Sequence, residues 1–409
     1  MKVNKYFPFV FVYFFFNSFL LPFGLTYTTL LAPLFYAWIL LTRKKDVLLP
    51  FLFILLPFVI ADLFFIKVEQ ESFYLSLLNI VMVYISCQAV YTFFKVYPEP
   101  ESVFRKLLII NFVFCLIAIV LYFTPWYDGV WAEQTVTKGV SKFRRLKLFT
   151  YEPSYYATLF VPVFGFYLFQ YALGKNTIRS SWLLLMIFLP YVLSFSIGVD
   201  AALLIAGVMT FLLFFKQLAT RRRVVNAMIT LFFFLGAAMV ILVLFFRHNP
   251  LFTRIINFFA GDDTSGSGRT SDAFIIAGQL LREKSEFWGI GIGQIKIAGA
   301  EIIRSFYLYP PDRPVAIPNA TAETLAVFGW IGLLLRIGIE VFLFFYTRVW
   351  RNYYRMFLFL FIFIYQFTGS FITNIAEYVI WILAFTNIFK QFDTGAWQKN
   401  TGRIQGASS

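Results

Sequence analysis

The feature that most narrows the fold is the recurrence of solid apolar runs near 20 residues long, punctuated by short clusters of Lys and Arg. A run of that length is what a helix needs to cross a hydrocarbon core of about 30 Å at about 1.5 Å per residue. The runs lack the alternation that marks a membrane β-barrel. Composition agrees. The chain is 60% hydrophobic with 56 Phe, and only 14% of its residues are charged, against about 25% in soluble domains. The runs therefore predict an all-α, polytopic transmembrane helical bundle of about 12 spans.

In chain order the expected spans cover 6–21, 26–41, 47–65, 73–94, 107–123 and 154–173. The run 182–218 is too long for one helix and is split at Ser194–Asp200 into spans seven and eight. The rest cover 226–246, 321–346, 356–371 and 378–389. The first run has no small-residue cleavage site after it and reads as a retained span. The net charge of +14 sits largely in short clusters such as TRKKD, KQLATRRR and TRVWRNYYR. The positive-inside rule puts these clusters on the cytoplasmic side, with both termini, and no nucleic acid is needed to explain the charge. The chain reads as one integral-membrane domain over 1–409. It carries a first outward loop at 124–153, a large extracytoplasmic loop at 247–318 and a cytoplasmic tail at 390–409.

Cys87 and Cys115 both lie in apolar runs and read as small buried hydrophobes. The lone His248 excludes a multi-histidine metal centre, and no ligand cluster calls for a metal or another cofactor. Asp262–Asp263 lie in a Ser/Gly-rich run and read as loop.

The stretch from Gly261 to Gly332 holds the longest polar run of the chain and then returns to a hydrophobic segment. Ordinary connections take about 4–6 residues, so a loop this long is where the chemistry is expected. Most outward cations read as solvated surface charge, because long loops translocate regardless of charge. Arg144, Arg145 and Arg269 stand at loop–membrane junctions, where a guanidinium fork can grip an anion such as a lipid diphosphate. After Arg269, the apolar positions Ala273, Ile276, Ala277, Leu280, Leu281 and Phe287 keep helical spacing. They predict an amphipathic helix on the membrane surface, with Asp272 in its first turn and Gly289 beyond its end. Its N-terminal amides would add donors beside Arg269.

Several motifs in order complete the pattern. FRRLKLFTYEPSYYA precedes a span, SGRTSDAF lies in the large loop, and WGIGIG supplies Gly289, Gly291 and Gly293. PNATAETLAVFGWIG then supplies Asn319, Glu323, Gly329 and Gly332. Over Arg144–Gly332 this order resembles the O-antigen polymerase/ligase superfamily, bacterial integral-membrane glycosyltransferases of the Wzy-like type. The resemblance implies a GT-C-like bundle in the bacterial cytoplasmic (inner) membrane with its active site outside. It implies a polyprenyl-diphosphate-linked glycan as donor, a second glycan as acceptor, and release of polyprenyl diphosphate. Membrane lipids, a chain-length regulator and a flippase are the further partners it brings.

On that resemblance Arg269 leads the catalytic candidates, with Arg144, Arg145 and Arg313 as diphosphate ligands. Glu152 and Glu323 are the candidate bases, each with a capping or buried-pair role as the alternative. Asn319 either caps span ten or binds a sugar hydroxyl. Arg336 and Glu340 stand one helical turn apart and read as a structural pair. Asp62 and Glu377 read as isolated acids lining a cavity. Aromatics of the outward loops, Tyr307 and Tyr309 among them, either stack on sugar rings or form a membrane belt. Where many relatives of this kind carry His before the Asn, this chain has Pro318, which favours a polymerase over a ligase. A ligase moving the finished glycan to a lipid A core is the enzyme alternative. A flippase for the same lipid-linked sugar is the alternative of another class, although no internal repeat is evident.

Overall fold

A computed structural model describes residues 7–16, 27–43, 48–97, 99–136, 141–174, 178–218 and 268–395. The chain is mostly helical. In order come α1 (Phe7–Phe16), α2 (Tyr27–Arg43), α3 (Leu49–Ile60, continued by a π-helical turn at Ala61–Ile66), α4 (Gln70–Val96) and α5 (Pro100–Leu121). A hairpin of β1 (Trp131–Val136) and β2 (Ser141–Leu146) leads into α6 (Pro153–Ala172), α7 (Ser180–Ser194) and α8 (Ile197–Leu213). The last group is α9 (Ser271–Glu283), α10 (Ala300–Tyr307), α11 (Ala320–Tyr346), α12 (Tyr353–Tyr365) and α13 (Ile375–Phe385).

Among the described residues, four helical stretches are long and apolar enough to cross a membrane: Leu49–Ile66, Gln70–Val96, Pro100–Leu121 and Ala320–Arg351. Several shorter apolar helices accompany them. Helices form at each expected span that falls within the described residues; the one expected at 226–246 lies outside them. The break expected at Ser194–Asp200 is real. Phe195 adopts a left-handed conformation (φ 40°, ψ 61°) between α7 and α8.

The all-α expectation needs one correction, because the first outward loop contains an antiparallel hairpin. Its register sets Glu133 opposite Arg144, and a cross-strand ion pair joins them at 3.4 Å. Opposite charges facing each other across two strands stabilise such a pairing locally.

Helix α6 is the central strut. Pro153 through Tyr167 are all buried, and the helix packs against α5, α7, α12 and α13. A helix apolar on all sides belongs in the middle of a bundle. Around Phe166 the rings of Phe104, Phe389 and Phe392 lie at centroid distances of 5.3, 4.7 and 5.4 Å. In lipid there is no hydrophobic drive between helices, so this interlocking of rings is held by dispersion and close fit.

A second unit forms around α11. Helix α9 lays Ala273, Ile276, Ala277, Leu280 and Leu281 against α11, so its apolar face is covered by protein. This corrects the expectation of a helix resting on the membrane surface. Helix α11 is broken at Gly329 (φ 65°, ψ −166°). The segment Glu286–Gly291 fills the break. Ile290 and Gly291 donate to Ala326 O and Val327 O at 2.9 and 3.1 Å. Trp330 and Ile331 in turn donate to Glu286 O and Phe287 O at 3.0 and 3.2 Å. A Cβ at Gly329 would come within 2.2 Å of Phe287 O, and one at Gly289 within 2.5 Å of Val327 O. Both glycines are required by this close approach of two backbones.

The rest of the Gly-rich run docks on the turn between α3 and α4. Ile292 N donates to the buried Asp62 carboxylate at 3.0 Å, and Ser72 Oγ donates to Gly293 O at 2.8 Å. Gln294 is held between the backbone N–H and carbonyl of Glu69. Asp62 is thus a docking group for the loop, correcting its reading as a cavity-lining acid.

Candidate functional site

Four segments meet at one end of the bundle: the start of α6, the turn before α9, the start of α11 and the end of α12. Asn319 ties three of them together. Its Oδ1 accepts from Ala322 N at 2.8 Å and caps α11. Its Nδ2 donates to Arg269 O at 2.8 Å and to Phe367 O at 2.6 Å. Ala320 N and Thr321 N complete the joint by donating to Gly369 O and Gln366 O. The Asn319 side chain is fully buried and engaged with backbone groups. Of the two roles expected for it, the structure shows the helix cap, and the same side chain fixes the backbone of Arg269.

Arg269, half-buried, stands directly before α9. Glu152 directly precedes α6, and its carboxylate accepts from the Ser154 hydroxyl. Both charges act on Tyr151. Burial raises the phenol pKa most, Glu152, Tyr155 and Tyr365 raise it further, and the Arg269 guanidinium opposes them. Tyr151 is 37% exposed, and its ring lies 5.0 Å from that of Tyr155. Tyr365, the last residue of α12, also lies within electrostatic range of Arg269 and Glu152 and hydrogen-bonds Thr158. A cation and a carboxylate thus share two phenols.

On the α10 side, Tyr307 Oη donates to Gly268 O at 3.3 Å, next to Arg269. Its ring stacks on Tyr309 (5.2 Å, 21°), and the Arg313 guanidinium lies 3.8 Å from the Tyr309 ring centroid. Burial, Asp272 and Tyr309 push the Tyr307 phenol up to about 12, so it stays a donor at neutral pH. Arg313 itself is exposed and lies at the outer end of this aromatic shelf.

Arg144 and Arg145 belong to a different neighbourhood. Arg144 donates to Glu133 and to Tyr122 O, and it lies 3.4 Å from the Tyr127 ring centroid. Arg145 is buried and donates from Nε to Ser194 O at 2.8 Å, with Asp200 in electrostatic range. Arg144 thus bonds β1 and the end of α5, Arg145 bonds the end of α7, and the carbonyl of Arg269 is instead held by Asn319. The expectation of one three-arginine cluster is corrected. Adjacent residues of a strand point to opposite faces, so even Arg144 and Arg145 reach different partners.

Glu323 accepts from Ile372 N at 2.7 Å and so braces the chain between α12 and α13. That bond gives Glu323 a structural role, the alternative expected beside that of a base. Deeper in the bundle, Arg336 pairs with Glu340 at 3.2 Å and with Glu377, and it donates to Gln366 and Thr324. Glu377 is therefore one half of an ion pair linking α11 to α13, not an isolated acid. His248 and Asp262–Asp263 lie outside the described residues. Among the described residues no group of His, Cys, Asp and Glu is arranged to hold a metal.

Sequence reading singled out neither Tyr151 nor Tyr365. The first was legible as the neighbour of Glu152. The second sits in an unbroken apolar run that gives no signal.

The chain matches no protein-family model, and no curated protein matches it closely enough to count as a relative.

Proposed function

We propose that this chain is a membrane glycosyltransferase that joins polyprenyl-diphosphate-linked oligosaccharide units, in the manner of an O-antigen or capsular polysaccharide polymerase. The observation that carries the reading is that Arg269 and Glu152, at one end of the bundle, act on the same two phenols, Tyr151 and Tyr365. In this reading the spans number about 12 in a GT-C-like bundle, and the Arg269 end faces away from the cytoplasm of a bacterium.

Glu152 takes the proton of an acceptor sugar hydroxyl as its oxygen attacks the anomeric carbon of the donor. The bond from that carbon to the diphosphate oxygen breaks, and polyprenyl diphosphate leaves with the electron pair. Arg269 and the first amides of α9 stabilise the departing negative charge, an electrostatic role of the kind that dominates many transfer reactions. The Tyr307–Tyr309 shelf, with Arg313 at its edge, offers faces on which sugar rings stack. Asn319 fixes the Arg269 backbone, and Ser154 fixes the Glu152 carboxylate. No step calls for a metal or another cofactor.

Reconstituted protein given a defined lipid-linked oligosaccharide is expected to produce longer glycans and free polyprenyl diphosphate. Release of neither product, by protein that remains folded in the bilayer, overturns the reading.

A further inference from the structure

Away from the Arg269 site, a groove of ≈ 320 Å³ opens between the ends of α5 and α7. Its walls are apolar, with Ile119, Val192, Leu193 and Phe195 prominent, and among the described residues Arg144 is the one charged residue in its lining. Groove volumes of about 300–1,000 Å³ are typical of small-ligand sites. Phe123 and Val192 at its edges are 82% and 68% exposed, which places the opening against lipid chains in a membrane protein.

The groove is held in shape. Phe195 forms part of the wall in a left-handed conformation that a bulky residue rarely adopts, and the buried Arg145 guanidinium holds the adjacent Ser194 carbonyl. Trp131 donates from Nε1 to Ala118 O at 2.7 Å, so its indole presents apolar surface to the groove. Arg144 is held by its stacking on Tyr127 and by its bonds from Nε to Glu133 and Nη1 to Tyr122 O. Among the described residues nothing bonds to its Nη2. The Glu133 pair is long at 3.4 Å and its carboxylate is about a third exposed, so an incoming anion competes with it on favourable terms.

We propose that this groove binds an anionic glycerophospholipid, with one acyl chain along the α5–α7 wall and the phosphate on Arg144. An apolar wall ending in a single guanidinium at the bilayer rim complements that chemistry. A zwitterionic lipid brings a cation of its own to the same place and gains less. The assignment needs only that the chain is embedded in a membrane and is independent of the glycosyltransferase reading.

The test uses full-length protein in bilayer nanodiscs with photoactivatable lipids carrying a diazirine on the acyl chain, and labelled peptides mapped by mass spectrometry. A phosphatidylglycerol probe is expected to label Val192–Phe195, and a phosphatidylcholine probe to label it several-fold less, because its choline cation stands beside the Arg144 guanidinium and opposes it. Arg144→Gln lowers the phosphatidylglycerol labelling to the phosphatidylcholine level. Glu133→Gln, which removes the competing carboxylate, raises it. Equal labelling by both probes, or no response to Glu133→Gln in a protein of unchanged thermal stability, overturns the proposal. So does displacement of the probe by polyprenyl phosphate at equal mole fraction, which would make the groove a substrate site.

Discussion

Asn319 Nδ2 donates to the carbonyl oxygen of Arg269 across fifty residues of chain, at 2.8 Å, while Oδ1 of the same side chain caps α11. One amide therefore sets both where a membrane helix begins and where the principal cation of the site stands. Asn319→Asp keeps the cap acceptor and removes both donors. Asn319→Ala removes everything. The alanine variant is expected to lose about 1–3 kcal/mol by leaving buried carbonyls unsatisfied, together with about 1 kcal/mol of capping. The aspartate variant keeps the cap but strands the same two carbonyls opposite a carboxylate, so it is expected to lose stability as well as turnover. Melting temperature in detergent and chain elongation in liposomes separate the two effects, and equal turnover by both variants and wild type would refute the positioning role.

Removing the Arg269 guanidinium is expected to cost about 10²–10³ in turnover, the scale of losing one preorganised donor to a developing anion. Arg269→Lys keeps the charge but not the fork, and should recover part of it. Single-turnover release of polyprenyl diphosphate is the measurement. An Arg269→Ala protein that elongates at the wild-type rate removes the assignment.

Gly329 and Gly338 lie in the same helix and predict opposite outcomes. At Gly338 a Cβ would meet nothing within 4 Å, so Gly338→Ala is expected to be neutral or stabilising by up to about 1 kcal/mol. Gly329→Ala drives a methyl into Phe287 O and forces a left-handed conformation on alanine. It should displace Glu286–Gly291 from the break and expose the loop to protease. Limited proteolysis of the two variants, side by side, decides this.

Arg336 holds Glu340 and Glu377 at once, so its loss strands two buried carboxylates. Arg336→Met alone is expected to cost about 3–5 kcal/mol, whereas a triple change that also makes Glu340 and Glu377 glutamine should recover most of it. Thermal unfolding of the single and triple variants tests this coupling.

Tyr307 gives a pH prediction. Its folded pKa lies at about 12, above the ordinary 10.0, because of burial and the nearby Asp272 and Tyr309. A pKa raised in the fold means that the folded state holds the proton more tightly. The resulting stability is complete below pH 10 and is lost as pH rises toward 12. Tyr307→Phe should lack that portion of the alkaline decline, and parallel melting curves at pH 9 to 12 would expose the difference.

The apolar runs made the helices legible, and Ser194–Asp200 betrayed the break between α7 and α8 because polar residues interrupt a run too long for one helix. The hairpin was hidden, since β1 and β2 are short and their pairing rests on cross-strand matches such as Glu133 with Arg144. The site was half legible. Arg269 and Glu152 stood out as charges at span junctions, but their approach depends on contacts across more than a hundred residues, which no local pattern encodes. Arg144 and Arg145 looked like companions of Arg269 for the same reason: sequence gives sign and depth, not azimuth around the bundle. The break at Gly329 left no mark in hydropathy, because the residues on either side of it remain apolar.

The seam at Gly329 also constrains the order of assembly. Glu286–Gly291 leave the ribosome before α11, yet their amides and carbonyls find partners only once that helix has arrived. Neither segment completes its backbone hydrogen bonding alone, so this end of the protein reaches its final form only when loop and helix are both in place.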